Sequence, residues 1–493
     1  MKKWLVWLLA LFLLPAAGLA LDVVGLETES VSRNWKDNLF FSRMEELTGV
    51  RVTGRGIRDT QEYRSFLERL LSGEERCDAL FKASLSREDE QRLYAGGVIA
   101  DMAPYIDKCM PHLQALLEAH PQWREQISID GRILSLPLLN EREHQVAVWI
   151  NQAWLNELGL PMPGNVEELT RALRAMKGRD LNGNGKSDEI PCDLVGTYEM
   201  RWLLPYFGIV ADDYQMAREG DTLAFAPALP QYRAFVETLA GWAREGLLPV
   251  SALRSLHTDR ITLSTGEQKT EEAVSGMLVS IAPYTAVPPE KVTDYRVLLM
   301  SAEGKTRWRD LLGQVWNGCF ALCTSCAEPE KMLSWVDALY AQEGARLAYV
   351  GVEGTDYRWK EDRWAFLLDS GRDIESIRRE VIIYTGTATP GLYPGELIEA
   401  VDSPEDWWDY EETKKVREVA EQVSRPYRLS SAGQQEAQTL AAALTAAVDR
   451  GIGRFVSGEA PMDDEHWTRF QEELEQMGAS RLTELLREAE KES

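Results

Sequence analysis

"LDVVGL" is a short, mostly apolar run that leads into the polar "ETES". Apolar positions then recur every three to four residues over "NLFFSRMEELTG". A short strand therefore runs into a helix, which Gly49 closes. The same change of period repeats. "VRVTGRGI" reads as a strand, and "TQEYRSFLERLLSGE" as an amphipathic helix with Thr60 as its cap. "CDALFKA" reads as a third strand, and "SREDEQRLYAGGVIADMAPYI" as a further helix and turn. Strands alternating with helices predict a parallel sheet covered on both faces. Further on, "GRILSLPLL" and "HQVAVWIN" are strands on either side of the polar "NEREH". "QAWLNELGLPMPGNVEELTRALRAMKG" then gives two helices broken by a Pro-rich turn. The alternation continues through "MLVSIAPY", "YRVLLMS" and "PEKMLSWVDALYAQEG", and from about residue 403 the pattern is helical and Glu-rich. There is no internal repeat, low-complexity segment or Gly/Ser linker, so interleaved α/β lobes are expected rather than separate beads.

The N-terminus changes the picture by adding a compartment. Lys2 and Lys3 precede the apolar "WLVWLLALFLL", and "PAAGLA" supplies small residues for cleavage after Ala20. That order predicts a signal peptide over residues 1–20; an uncleaved anchor is the alternative. No cysteine follows the apolar run, so no lipid attachment is expected, and the mature chain is expected in the periplasm or outside the cell. Without Lys2 and Lys3, 52 basic side chains face 79 acidic ones, a net charge of −27. Such a field repels nucleic acid and anionic membranes. An apolar content of 44%, with 16 tryptophans, excludes a disordered chain. The six cysteines are too few for a disulfide scaffold, and "CFALCTSC" lacks a nearby histidine to complete a zinc site. Buried thiols or one local disulfide are expected.

The stretch "DLNGNGKSDEIP" carries the sharpest local chemistry. Asp180, Asn182, Asn184 and Asp188 stand on alternate residues, and Gly185 occupies the position of a sharp turn. Calcium takes six to eight oxygens, and this spacing aims them at one point. With the Lys186 carbonyl and Glu189, which stands in for an absent twelfth-position Glu, six donors fall within residues 180–189. A polar Asn-Gly turn without an ion is the alternative. A dockerin would need a second copy, and none exists.

"LTGVRV", "CDALF", "LYAGGVIADMAPYI", "DGRILSLPLL" and "VWINQAWLNELGLPMPGNVEELTRALRAMK" follow one another in an order that resembles the extracellular solute-binding proteins of family 1. Together with "DLNGNGKSDEIP" and "YAQEGARLAYVGVEGTDYRWKED", the chain is similar to their large oligosaccharide-binding members, including the alginate-oligosaccharide and maltodextrin binders. The resemblance covers roughly residues 22–370. It implies an α/β fold of two lobes, periplasmic-binding-protein-like and of type II, with a helical C-terminal extension. It also implies a structural Ca2+ in the loop, capture of a carbohydrate for the permease subunits of an ABC importer, and no catalysis. A monomer is expected. The expected first lobe is residues 21–143 with 301–342, the second 144–300 with 343–402, and residues 403–493 pack on the lobes as helices. Crossings are expected at 140–144, at 295–301 and just after "DALYAQEG".

In such a fold the cleft is edged by loops at strand C-termini, where aromatic faces meet sugar rings and planar polar groups meet hydroxyls. The first-lobe candidates are Glu27, Thr28, Lys82, Trp316 and Asn317. Tyr198, Arg201, Trp202 and Tyr284 are the second-lobe candidates, and Glu143 and His144 lie at a crossing. Trp202 and Tyr284 fall near positions that touch sugar in maltodextrin-binding relatives. For each aromatic, ordinary core packing is the alternative. A secreted carbohydrate-active enzyme and a sugar sensor for a membrane receptor remain the rival classes. The chain shows no nucleophile elbow, metal triad or His-rich site. The acidic balance favours a neutral or modestly charged oligosaccharide.

Overall fold

The computed structural model describes residues 20–28, 33–140, 146–194, 196–250, 274–280, 282–283, 286–309, 315–368, 371–399, 401, 404–421, 427, 429 and 431–491. The expected signal peptide therefore lies almost wholly outside the described residues, as do Glu143, His144 and Tyr284.

The chain opens with β1 (Leu21–Leu26), α1 (Leu39–Thr48), β2 (Val52–Ile57), α2 (Thr60–Ser72), β3 (Ala79–Phe81), α3 (Arg87–Ala95) and β4 (Leu136–Asn140). Gly49 closes α1 at φ 71°, as the sequence suggests. Helix α2 is capped one residue earlier than expected, because the Asp59 carboxylate accepts from Glu62 N. The second group is β5 (Ala147–Asn151), α4 (Val166–Met176), β6 (Ile190–Asp193), α5 (Thr197–Arg201), α6 (Pro230–Arg244), β7 (Ser275–Ser280) and β8 (Tyr295–Val297). Next come β9 (Val315–Leu322), α7 (Gln342–Tyr349) and β10 (Gly391–Tyr393), and then α8 (Pro404–Arg417), α9 (Ser431–Val456), α10 (Asp464–Gln476) and α11 (Ala479–Lys491).

The first sheet has the order β10-β4-β9-β3-β1-β2, and the second β8-β5-β7-β6. Neither is all-parallel. Strand β9 runs antiparallel to both β3 and β4, and β5 is antiparallel to β7 and β8. Alternate residues of the first sheet enter different cores. Val23, Phe81 and Phe320 join one, while Val24, Leu80 and Ala321 join the other. The period of two thus covers both faces. The larger core gathers Trp35, Phe40, Phe41, Phe81 and Trp335, with Phe41 stacked on Trp335 at 6.3 Å and 5°. Each such side chain contributes about 1.5–3 kcal/mol through burial.

Two lobe assignments need correction. Residues 343–397 belong to the first lobe, because Gly391 pairs with Leu138 in its sheet and Tyr349, Trp364 and Leu397 enter its core. Ion pairing adds to this: Arg43 of α1 reaches Asp356 at 2.5 Å. Residues 301–309 belong instead to the second lobe, where Trp308 is fully buried. The chain therefore crosses between 140 and 147, between 309 and 315, and between 397 and 404. The C-terminal helices join the core of the second lobe through Val416, Leu444, Phe470 and Leu486. Among the described residues, no helix is long and apolar enough to cross a membrane.

Candidate functional site

The C-terminal ends of β1, β3 and β4 share one edge of the first sheet with the N-terminal end of the antiparallel β9. The first two crossings leave from this edge, so it faces the second lobe. Thr28 is exposed there, with its Oγ1 3.0 Å from Thr387 Oγ1. Trp316 is 49% exposed. It pairs with Leu138 of β4, and the register shifts just after it, before Phe320. Gly318 turns at φ 75°, where a side-chain Cβ would stand 2.0 Å from Leu85 O. Asn317 donates to Gln126 O at 3.3 Å and is held in place.

Glu27 and Lys82 are not open contacts, contrary to expectation. Both are buried, at 1% and 0% exposure. Glu27 Oε2 accepts from Arg33 Nη1 at 2.9 Å, Trp35 Nε1 at 2.9 Å and Lys82 Nζ at 3.2 Å. Lys82 Nζ also donates to the carbonyls of Ile383 and Thr385, at 2.8 and 2.7 Å. The loop before β10 covers the pair, and its polar atoms are engaged with protein.

On the second lobe Tyr198, Arg201 and Trp202 come together. Strand β6 ends at Asp193, and α5 starts after Gly196, whose amide donates to Glu199 Oε2 at 3.0 Å. Tyr198 projects at 55% exposure, while Trp202, one residue beyond the helix, is 6% exposed. Their rings meet edge to face at 6.3 Å, and Trp202 stacks on the buried Trp308 at 6.1 Å and 24°. Arg201 lies 5.9 Å from the Tyr198 ring centre and 3.7 Å from Asp449. These side chains wall a cavity of ≈ 130 Å³, together with Asp212, Gln215 and Arg309.

The floor of this cavity escaped the sequence reading. Gln215 is 5% exposed and holds φ 58°. Its Nε2 donates to Thr445 Oγ1 of α9 at 3.0 Å. Its Oε1 is buried and finds no hydrogen-bond donor among the described residues. A buried acceptor left in this state costs about 1–3 kcal/mol unless a ligand or water donates to it. Arg309, just before the second crossing, pairs with Asp213 at 2.9 Å. No local motif marks Gln215 or Thr445; only the tertiary fold brings α9 beneath α5.

The 180–189 loop joins α4 to the N-terminal end of β6, at the opposite end of that strand from the cavity. Asp180 Oδ2 accepts from Gly185 N at 2.9 Å, Asn182 Oδ1 from Asn184 N at 3.0 Å, and Asn184 Oδ1 from Lys186 N at 2.8 Å. A carbonyl or carboxylate oxygen can accept from more than one partner. Glu189 Oε1 accepts from Leu181 N and Asn182 N, at 2.6 and 3.1 Å. Its Oε2 is buried and finds no partner among the described residues. Hard oxygen donors with one buried carboxylate oxygen to spare fit a calcium ion. Among the described residues, no three His, Cys, Asp or Glu side chains converge to hold a metal by themselves. The expected donor set draws also on two asparagines and the Lys186 carbonyl.

The cysteines are free thiols. Burial pushes the Cys319 thiol up to about 12.

No family model matches the chain. A curated relative, the fructooligosaccharide ABC transporter substrate-binding protein FusA of Streptococcus pneumoniae serotype 4 (strain ATCC BAA-334 / TIGR4), is 31% identical over 233 residues. That stretch spans 44% of this chain and 42% of the relative. The solved structure of S. pneumoniae FusA in complex with kestose superposes with a TM-score of 0.74 at 22% identity, covering 96% of this chain and 99% of that one. A FusA EF-hand mutant in complex with fructo-nystose gives 0.73 at 21% identity, covering 96% and 99%. A solute-binding protein of Bifidobacterium longum infantis ATCC 15697, associated with an HMO-binding ABC transporter, gives 0.77 at 17% identity, covering 95% and 98%. These likenesses show that the chain has the two-lobed fold of the solute-binding proteins.

Proposed function

We propose that the protein is an extracytoplasmic solute-binding protein that captures an oligosaccharide for an ABC importer and performs no turnover. The observation that carries the reading is the cavity beside Tyr198 and Trp202, with the buried Gln215 Oε1 awaiting a donor. Aromatic walls take the C–H faces of a sugar ring, and the amide oxygen takes one of its hydroxyls. The partial likeness to FusA makes fructo-oligosaccharides the first ligands to try. Residues 180–189 would hold one calcium ion through Asp180, Asn182, Asn184, the Lys186 carbonyl, Asp188 and Glu189. When bound, that ion would cross-link the turn between α4 and β6, and it takes no part in ligand contact.

The test incubates the mature chain with fructo-, malto- and manno-oligosaccharides, reading melting shifts and product formation together. Stabilisation without products is the expected result; release of shorter sugars would replace this reading with an enzyme. Tyr198→Ala is expected to weaken binding by about 1 kcal/mol, because the ring is exposed and little of its stacking is structural. Gln215→Met keeps the length of the side chain but removes the acceptor, and should also weaken binding by about 1 kcal/mol. Calorimetric titration of both variants checks this, and unchanged affinity in both would move the site elsewhere.

A further inference from the structure

Helix α9 reaches both sides of the space between the lobes. Thr445 lines the cavity beside Tyr198 and Trp202. Nearer its N-terminus, Gln434, Gln435 and Gln438 line a second cavity of ≈ 240 Å³, whose opposite wall is Arg87, Glu88 and Gln91 of α3. Helix α3 follows β3 and belongs to the first lobe, while α9 packs on the second. An occupant of this cavity therefore touches both lobes.

Gln434, Gln438 and Thr445 are four and seven residues apart, so they share one face of the helix. Ala441 stands on the same face between them, and its methyl side chain leaves that surface low. From Gln438 to Thr445 the helix rises about 10 Å, too far for one sugar ring to reach both cavities. The walls of the second cavity are amides, a guanidinium and a carboxylate. These groups pair with hydroxyls and offer no apolar platform. At the other end of the path, Gln215 presents its unpartnered buried oxygen beside Thr445.

We infer that α9 is a wall of the ligand path, and that the α3–α9 cavity binds the distal units of an oligosaccharide whose first unit sits against Tyr198 and Trp202. The inference rests on the binder reading above and adds a length requirement to it: the C-terminal extension makes the protein selective for chains over single sugars.

The experiment titrates the mature chain calorimetrically with sucrose, kestose and nystose, and in parallel with maltose, maltotriose and maltotetraose. It compares the wild type with Q434A/Q438A and, separately, with Q91A from the opposing lobe. In the wild type, affinity should rise with chain length. Both variants should lose affinity in a length-graded way, least for the disaccharide and by about tenfold for the tetrasaccharide, as for one or two lost hydrogen bonds. An equal loss at every length would mark a structural role for these side chains and overturn the inference. So would no loss at any length while the wild type still binds. A wild type that binds neither series overturns the binder reading along with it. The glutamines are partly or fully exposed, so folding of the variants is checked by an unchanged melting curve without sugar.

Discussion

Glu27→Ala is expected to destabilise the protein by about 3–5 kcal/mol. Glu27 and its cationic partners, Arg33 and Lys82, have no exposed side-chain surface. Removing the carboxylate leaves two buried cations facing each other, with only carbonyls and hydroxyls to oppose them. Lys82 cannot retreat easily, because its backbone sits at φ 54° and its amine is held between two strands and the 383–385 loop. That loop leads into β10, so the loss should loosen the return of the chain into the first sheet. Denaturant titration checks the size of the effect. Glu27→Gln, which keeps the shape without the charge, should fall between the two. A change below about 0.5 kcal/mol for Glu27→Ala would show that the three charges are held independently.

Calcium removal is the second large effect expected. An ion bound only by the native state stabilises it by mass action, about 2.7 kcal/mol when the free ion is at a hundred times its dissociation constant. Chelation should therefore lower the melting temperature, and added calcium should restore it. Asp180→Ala should remove the calcium dependence and leave the protein near the chelated wild type. Sugar affinity should survive, because the loop and the cavity lie at opposite ends of β6, which spans about 13 Å. A purified protein with no bound calcium, and with melting indifferent to added calcium, would leave the loop as a polar turn.

The early βαβ units were legible because their periods change cleanly and Gly49 marks a stop. The loop spacing and the Tyr198–Trp202 cluster were legible for a similar reason: both are local. What the sequence hid was return. Strand β10 is three residues long, too short to show a period, so the segment carrying it was assigned to the wrong lobe. The same omission misread Glu27 and Lys82, since nothing near either residue announces the loop that buries them. The antiparallel direction of β9 is set by a crossing, which leaves no mark on the pattern within the strand. Helix α9 looked like packing material because its apolar stripe accounts for its core. Its polar face acquires meaning only once α3 and Gln215 are placed beside it.

Strand β9 lies between β3 and β4, yet it is made only after the whole second sheet. At ordinary translation speeds it follows β4 by on the order of 10 s. For that interval the first 140 residues have no neighbour to seal β3 to β4, and their aromatic core lacks Phe320 and Trp335. A nascent chain in this state has an open first sheet, which closes only when its middle third has been made. The interleaving of the two lobes thus ties completion of the first sheet to synthesis of the second, and a chain truncated before β9 is expected to lack a sealed first sheet.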